Sequence, residues 1–125
     1  MKAHTDLEQS KTLSKILPIE SADMCWTNHC YGSIRSSMTI SAISTYEYKK
    51  LLERFADSTS IDVFYHAWSL AALLNVLPKI DGLRPIMDLE EVSLYYTKAD
   101  LYVTATNPLD ACYEMILLLH DKNLI

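Results

Sequence analysis

The sequence predicts an α+β fold, a small antiparallel sheet with helices packed on its apolar face. Three observations carry this. Residues 91–106 contain two alternating segments that can fold on each other. Residues 108–121 repeat apolar side chains at helical spacing. The inferred helices do not alternate regularly with strands, as a doubly wound parallel sheet would require. Two to four helices are expected, the main ones over 69–77 and 108–121, in one domain spanning 1–125 with residues 1–6 frayed.

In chain order, Leu7, Leu13, Ile16 and Leu17 give a helical pattern over 7–17, with a frayed start and a stop at Pro18. Asp23 to Thr27 reads as a short strand with Met24 and Trp26 on one face. Asn28 to Ser33 reads as a loop turning at Gly32. Ile34, Met38, Ile40 and Ala42 give a strand through a Ser-rich segment. Tyr46 to Ala56 is a helix with Tyr48, Leu51, Leu52 and Phe55 on one side, closed by Asp57 to Ser60. Ile61 to Tyr65 is a further short strand.

Ser69 to Leu77 reads as a buried helix. Ser69 is a preferred N-cap, and Trp68 before it is placed to pack on Leu73 as a hydrophobic staple. Leu70, Leu73, Leu74 and Leu77 form its inward side, and Pro78 ends it. Lys79 to Asp88 then reads as a loop.

In the hairpin, β-branched and aromatic residues fill Val92 to Tyr96 and Leu101 to Ala105. A loop over Thr97 to Asp100 pairs Val92 with Ala105, Leu94 with Val103 and Tyr96 with Leu101, placing all six on one face. Ser93 then opposes Thr104 and Tyr95 opposes Tyr102 on the other. A slip of one residue would expose the apolar set, so the register is specified. Asn107-Pro108 ends the hairpin and starts a helix, with Asn as N-cap and Pro at the first helical position. Cys112, Met115, Ile116 and Leu119, widened by Ala111 and Leu118, form its apolar stripe. Leu94, Val103, Ile116 and Leu119 are the expected core. Tyr113 and Leu117 fall on the helix's outer side.

Composition narrows the function. At 125 residues, 50% apolar and with only two glycines, the chain can bury a core without staples. A formal charge of −5 argues against nucleic-acid binding through a broad basic face. No run approaches the ~18 apolar residues of a membrane span, and Met1 to Ser14 lacks the apolar core of a signal peptide. A cytoplasmic setting follows, in which Cys25, Cys30 and Cys112 stay reduced.

Three blocks carry a resemblance: Ala22-Asp23-Met24 with Trp26; Ala67-Trp68-Ser69-Leu70 with Ala72-Leu73-Leu74 and Leu77-Pro78; and Asn107-Pro108 with Asp110-Ala111-Cys112 and Glu114-Met115. In combination the chain, from Ala22 onward, resembles a family of small Bacteroidetes proteins often encoded in prophages and mobile elements. The segment Cys30 to His66 matches none of the blocks. The resemblance implies a bacterial, cytosolic setting; the family has no established activity, so it assigns no catalytic residue.

Cys25, His29 and Cys30 are the only local cluster of soft metal ligands. Structural zinc takes four ligands, and Cys112 or His66 would have to complete the set from afar; an ordinary loop is the commoner explanation, and no metal or cofactor is expected. Cys112 lies on an apolar helix side, where a small buried residue is usual. Asp62, Asp81, Asp88, Glu90 and Glu91 show no spacing that singles out an acid–base pair. P-loop, dinucleotide and nucleophile-elbow patterns are absent from the sequence. An enzyme is not expected.

Eight tyrosines and two tryptophans are many for this length. A Tyr95–Tyr102 cross-strand pair ordinarily just stabilises a sheet, by ~0.2–1 kcal/mol. It can also form a binding face, since Tyr offers large contact area at small entropy cost. Tyr95, Tyr102, Tyr113 and Leu117 are therefore the candidate interaction face. The leading expectation is an accessory protein of a phage or mobile element acting by protein–protein contact or self-association, without nucleic acid or membrane. The alternative is a small-ligand binder or cryptic enzyme using loops 28–33 and 83–88.

Overall fold

The computed structural model describes residues 2–31, 34–35, 39–42 and 61–125, with side chains described for 2–26 and 65–125. The helix expected over Tyr46 to Ala56 and the turn at Gly32 lie outside these residues. Among the described residues, three helices and two small antiparallel sheets make an α+β fold. They group into two compact units, Asp6–Trp68, and Met1–Thr5 with Ser69–Ile125.

In the first unit, helix α1 (Leu7–Leu13) has a built start where fraying was expected. The Gln9 N–H donates to Asp6 Oδ1 at 2.8 Å, and the Asp6 N–H donates to Gln9 Oε1 at 3.1 Å. This reciprocal capping box satisfies two donors that a helix start otherwise leaves unpaired. The helix ends at Leu13, well before Pro18, because the Lys15 and Ile16 N–H groups bond three residues back and tighten the turn. Its buried side presents Ser10 and Leu13.

Strand β1 (Met24–Tyr31) is central. It pairs antiparallel with β2 (Ile34–Arg35) and β3 (Thr39–Ala42), and also with β4 (Ile61–Ala67). Trp26 opposes Ile40 and Tyr65; Cys25 opposes Ser41 and His66. Asn28 to Tyr31 therefore belong to a strand, not to the expected loop. With strands to pair on both sides, ladder hydrogen bonds override a locally polar composition. The register shifts between Thr27 and His29. Helix α1 packs on β4, and the Lys11 ammonium lies 5.2 Å from the Tyr65 ring centre, a cation–π distance. Trp68 follows β4 and is wholly buried. Its indole N–H donates to Ser21 Oγ at 2.9 Å, and that hydroxyl donates to the Pro18 carbonyl at 2.6 Å.

In the second unit, residues 2–5 are held where fraying of 1–6 was expected. Lys2 Nζ lies 2.9 Å from Asp110 Oδ1, His4 bridges to Ser69, and Thr5 is buried. An ion pair and a β-bridge thus offset the entropy of ordering a terminus. Helix α2 (Leu70–Val76) starts at Ser69, whose Oγ accepts from the Ala72 N–H at 3.2 Å. It packs against the C-terminal helix. Ala72, Leu73 and Leu77 are buried, whereas Leu74 is 39% exposed. The buried strip is narrow, and Leu74 falls outside it.

The expected loop 79–88 is structured at both ends. Asp81 (φ 52°) and Gly82 (φ 78°) form the turn between the bridged residues Ile80 and Leu83. Asp-Gly with both residues at positive φ is the preferred two-residue hairpin connection. Ile86–Asp88 then forms β5, which pairs with β6 (Ser93–Tyr96), and β6 pairs with β7 (Leu101–Thr104).

The hairpin register is the expected one, with Leu94 opposite Val103, Tyr95 opposite Tyr102 and Tyr96 opposite Leu101. Val92 is outside the strand with φ 50°, although its carbonyl still accepts from the Ala105 N–H at 3.1 Å. The turn from β5 needs a left-handed residue there, a costly conformation for a β-branched side chain.

Helix α3 (Pro108–Asp121) has the expected bounds. Asn107 Oδ1 accepts from the Asp110 N–H at 2.9 Å, and Pro108 occupies the first position. At the other end Asn123 takes φ 57°, the Leu124 N–H reaches the Leu119 carbonyl at 2.8 Å, and the Asn123 N–H reaches that of His120. This is a Schellman closure with Asn in the usual Gly position. The core joins Leu94, Tyr96 and Leu101 of the sheet to Leu109, Cys112, Met115, Ile116 and Leu119 of α3, all buried; Val103 is half-buried. Replacing Asn107 by Ala is expected to cost ~1 kcal/mol, read as a lower urea midpoint with an unchanged slope.

Candidate functional site

The faces of the β5–β6–β7 sheet follow from its register. Directly opposed residues share a face and successive residues alternate. Met87, Leu94 and Val103 form one row of the inner face, with Tyr96 and Leu101 beside it. Leu94, Tyr96 and Leu101 on this face are buried, and α3 packs on β6 and β7. The outer face has two rows, Ile86–Tyr95–Tyr102 and Asp88–Ser93–Thr104.

The tyrosines are close for a definable reason. The Ala105-to-Val92 hydrogen bond makes that pair a hydrogen-bonded one. Alternation then makes 95–102 a non-hydrogen-bonded pair, whose Cα atoms approach to ~4.5 Å. Their ring centroids lie 6.4 Å apart with planes tilted by 34°, within the range of favourable aromatic pairs. Tyr102 is 56% exposed, Ile86 44%, and Tyr95 is half-buried between them. Leu89, in the turn after β5, is 69% exposed. Ser93 is buried although it faces outward, because a short side chain in a central strand sits below its neighbours.

Tyr113 and Leu117 are half-buried on α3, which packs on the inner face. The sheet stands between them and the tyrosine pair. Tyr95 and Tyr102 are thus brought together, and the other two candidates are not part of that row. Ile86 joins the row, in place of the loop that the sequence predicts over Ile86-Met87-Asp88. An apolar pair just after Pro85, a residue that favours extended backbone, was the available signal.

Charge is distributed unevenly along the strands. Asp88, Glu90 and Glu91 lie at the end where β5 turns into β6, and Asp88 Oδ1 accepts from the Glu90 N–H at 2.9 Å. Arg84 precedes β5 at the opposite end, where Lys98 and Asp100 occupy the β6–β7 loop. All of these except half-buried Asp88 are exposed.

The other candidates are placed as follows. Cys112 is buried, and burial pushes its thiol up to about 12, so it stays protonated and non-nucleophilic at neutral pH. Tyr96 donates to the Pro78 carbonyl at 2.7 Å; burial, and secondarily the Cys112 charge, raise its phenol to about 12. Cys25 is buried in β1 across from His66. Burial lowers the His66 pKa, against the opposing influence of Glu20. His29 and Cys30 lie in the same strand as Cys25, with side chains outside those described. Among the described residues no group of three or more His, Cys, Asp or Glu is placed to hold a metal ion. Asp81, Glu90 and Glu91 are exposed in turns. Of the loops assigned to a ligand, 28–31 belong to β1 and 86–88 to β5. Among the described residues no helix is long and apolar enough to cross a membrane. No known protein family, curated protein or solved structure matches the chain.

Proposed function

We propose that the chain is a non-enzymatic interaction protein that acts by protein–protein contact through the outer face of its C-terminal sheet. The observation that carries this is the Ile86–Tyr95–Tyr102 row, which leaves two large apolar side chains about half exposed on a regular three-stranded surface. Side chains that serve only folding are normally covered; contiguous exposed apolar and aromatic surface marks interaction sites. The block resemblance supports a phage or mobile-element accessory role in a bacterial cytoplasm.

The test replaces Tyr95 and Tyr102 together by Ser. Capture of a stoichiometric partner from native cells, or self-association, is expected to weaken by about tenfold or more. The unfolding free energy is expected to fall by no more than ~1 kcal/mol. The reverse pattern, with lost stability and intact association, would assign the pair to structure alone.

A further inference from the structure

We infer that the partner of this face is a second copy of the chain, the two outer faces stacked about a two-fold axis with their strands antiparallel. This rests on the interaction reading above and names its occupant. The first reason is charge. The end at Asp88, Glu90 and Glu91 is acidic, while Arg84 and Lys98 outnumber Asp100 at the other. A two-fold axis perpendicular to the strands sets each basic end over the partner's acidic end, and does so twice. A parallel stack would oppose like charges, which an interface disfavours. A uniformly basic partner would meet Arg84 and Lys98, and a uniformly acidic one Glu90 and Glu91.

The second reason is shape. The middle of the face is a straight row of one aliphatic and two aromatic side chains across three strands. A two-fold interface presents the same patch twice, and tilted aromatic rings accept one another edge to face. The footprint bounds the strength. Strands ~4.8 Å apart and residues rising ~3.3 Å give a face of roughly 15 by 13 Å. That is well under the ~800 Å² per partner of a standard interface. The dimer is weak, concentration-dependent and, through its rim charges, weakened by salt.

Analytical ultracentrifugation of the full chain, across concentration and at two salt levels, tests this. A reversible dimer is expected, looser at high salt. Arg84→Glu with Lys98→Glu, or Glu90→Lys with Glu91→Lys, is expected to loosen it by about tenfold or more. These side chains are exposed, so unchanged circular dichroism and unfolding midpoint should accompany the loss. Mixing the two doubly reversed variants is expected to restore association as a heterodimer, an outcome that misfolding cannot mimic. A monomer at every concentration, or a dimer indifferent to the reversals, overturns the inference. If the monomer still captures a partner through Tyr95 and Tyr102, only the identity of the occupant falls. If the tyrosine replacements leave both dimer and capture unaltered, the interaction reading falls with it.

Discussion

Trp68→Ala is expected to lower stability by ~3–5 kcal/mol, the usual cost of emptying a fully buried large aromatic site. Trp68 is wholly buried where β4 ends, and its indole N–H is held by Ser21. Against a typical total of ~5–15 kcal/mol, the loss should be plain as a shift of the urea midpoint. Trp26 remains in the variant, so intrinsic fluorescence can still follow unfolding. Trp68→Phe separates two contributions. It keeps most of the apolar volume and removes the donor, while the Ser21 hydroxyl retains its bond to Pro18. A cost near ~1 kcal/mol for the missing hydrogen bond, plus a smaller cavity, is expected there. An Ala variant no less stable than the native chain would remove Trp68 from the core.

Alkaline pH is expected to destabilise the unit built on β5, β6, β7 and α3. The Cys112 thiol is pushed from 9.0 to about 12 in the folded chain, and the Tyr96 phenol from 10.0 to about 12. Both groups hold their protons more tightly when folded. Stability is therefore complete below pH ~9, where both states are protonated. It falls as pH rises toward 12, because the unfolded chain releases its protons first. For Cys112 the slope approaches ~1.4 kcal/mol per pH unit at most. Urea midpoints between pH 8 and 11.5 would measure it. Cys112→Ala should flatten the decline that begins near pH 9, and Tyr96→Phe the part that sets in near pH 10. A midpoint independent of pH over this range would mean that the thiol ionises freely in the folded state.

The elements legible in the sequence are those in which several local signals agree. Residues 93–104 combine alternation with a defined loop, and 107–121 combine Asn-Pro capping with a helical stripe; register and bounds follow. The missed elements depend on pairing partners outside their own segment. Asn28 to Tyr31 extend as a strand because β4 returns from residue 61 to pair with His29, and β2 pairs with Cys30 and Tyr31. Ile86–Asp88 needs only three residues and takes its hydrogen bonds from β6. Two further elements carry local signals of their own, the Asp6–Gln9 capping box and the Asp81-Gly82 turn. The tyrosine pair was readable because register alone places it. Its extension to Ile86 was not, since it required β5.

The clasp between Lys2 and Asp110 spans 108 positions. Loops that long close slowly, since much of the chain must be ordered before the contact offsets its entropy. During synthesis Lys2 emerges 108 residues before Asp110. Until then the bridge from His4 to Ser69 is the earlier contact that can hold the residues beside it. The hairpin at Thr97–Asp100, closed by near neighbours, can form as soon as it appears. The ion pair at Lys2 is thus among the last of the described contacts to form.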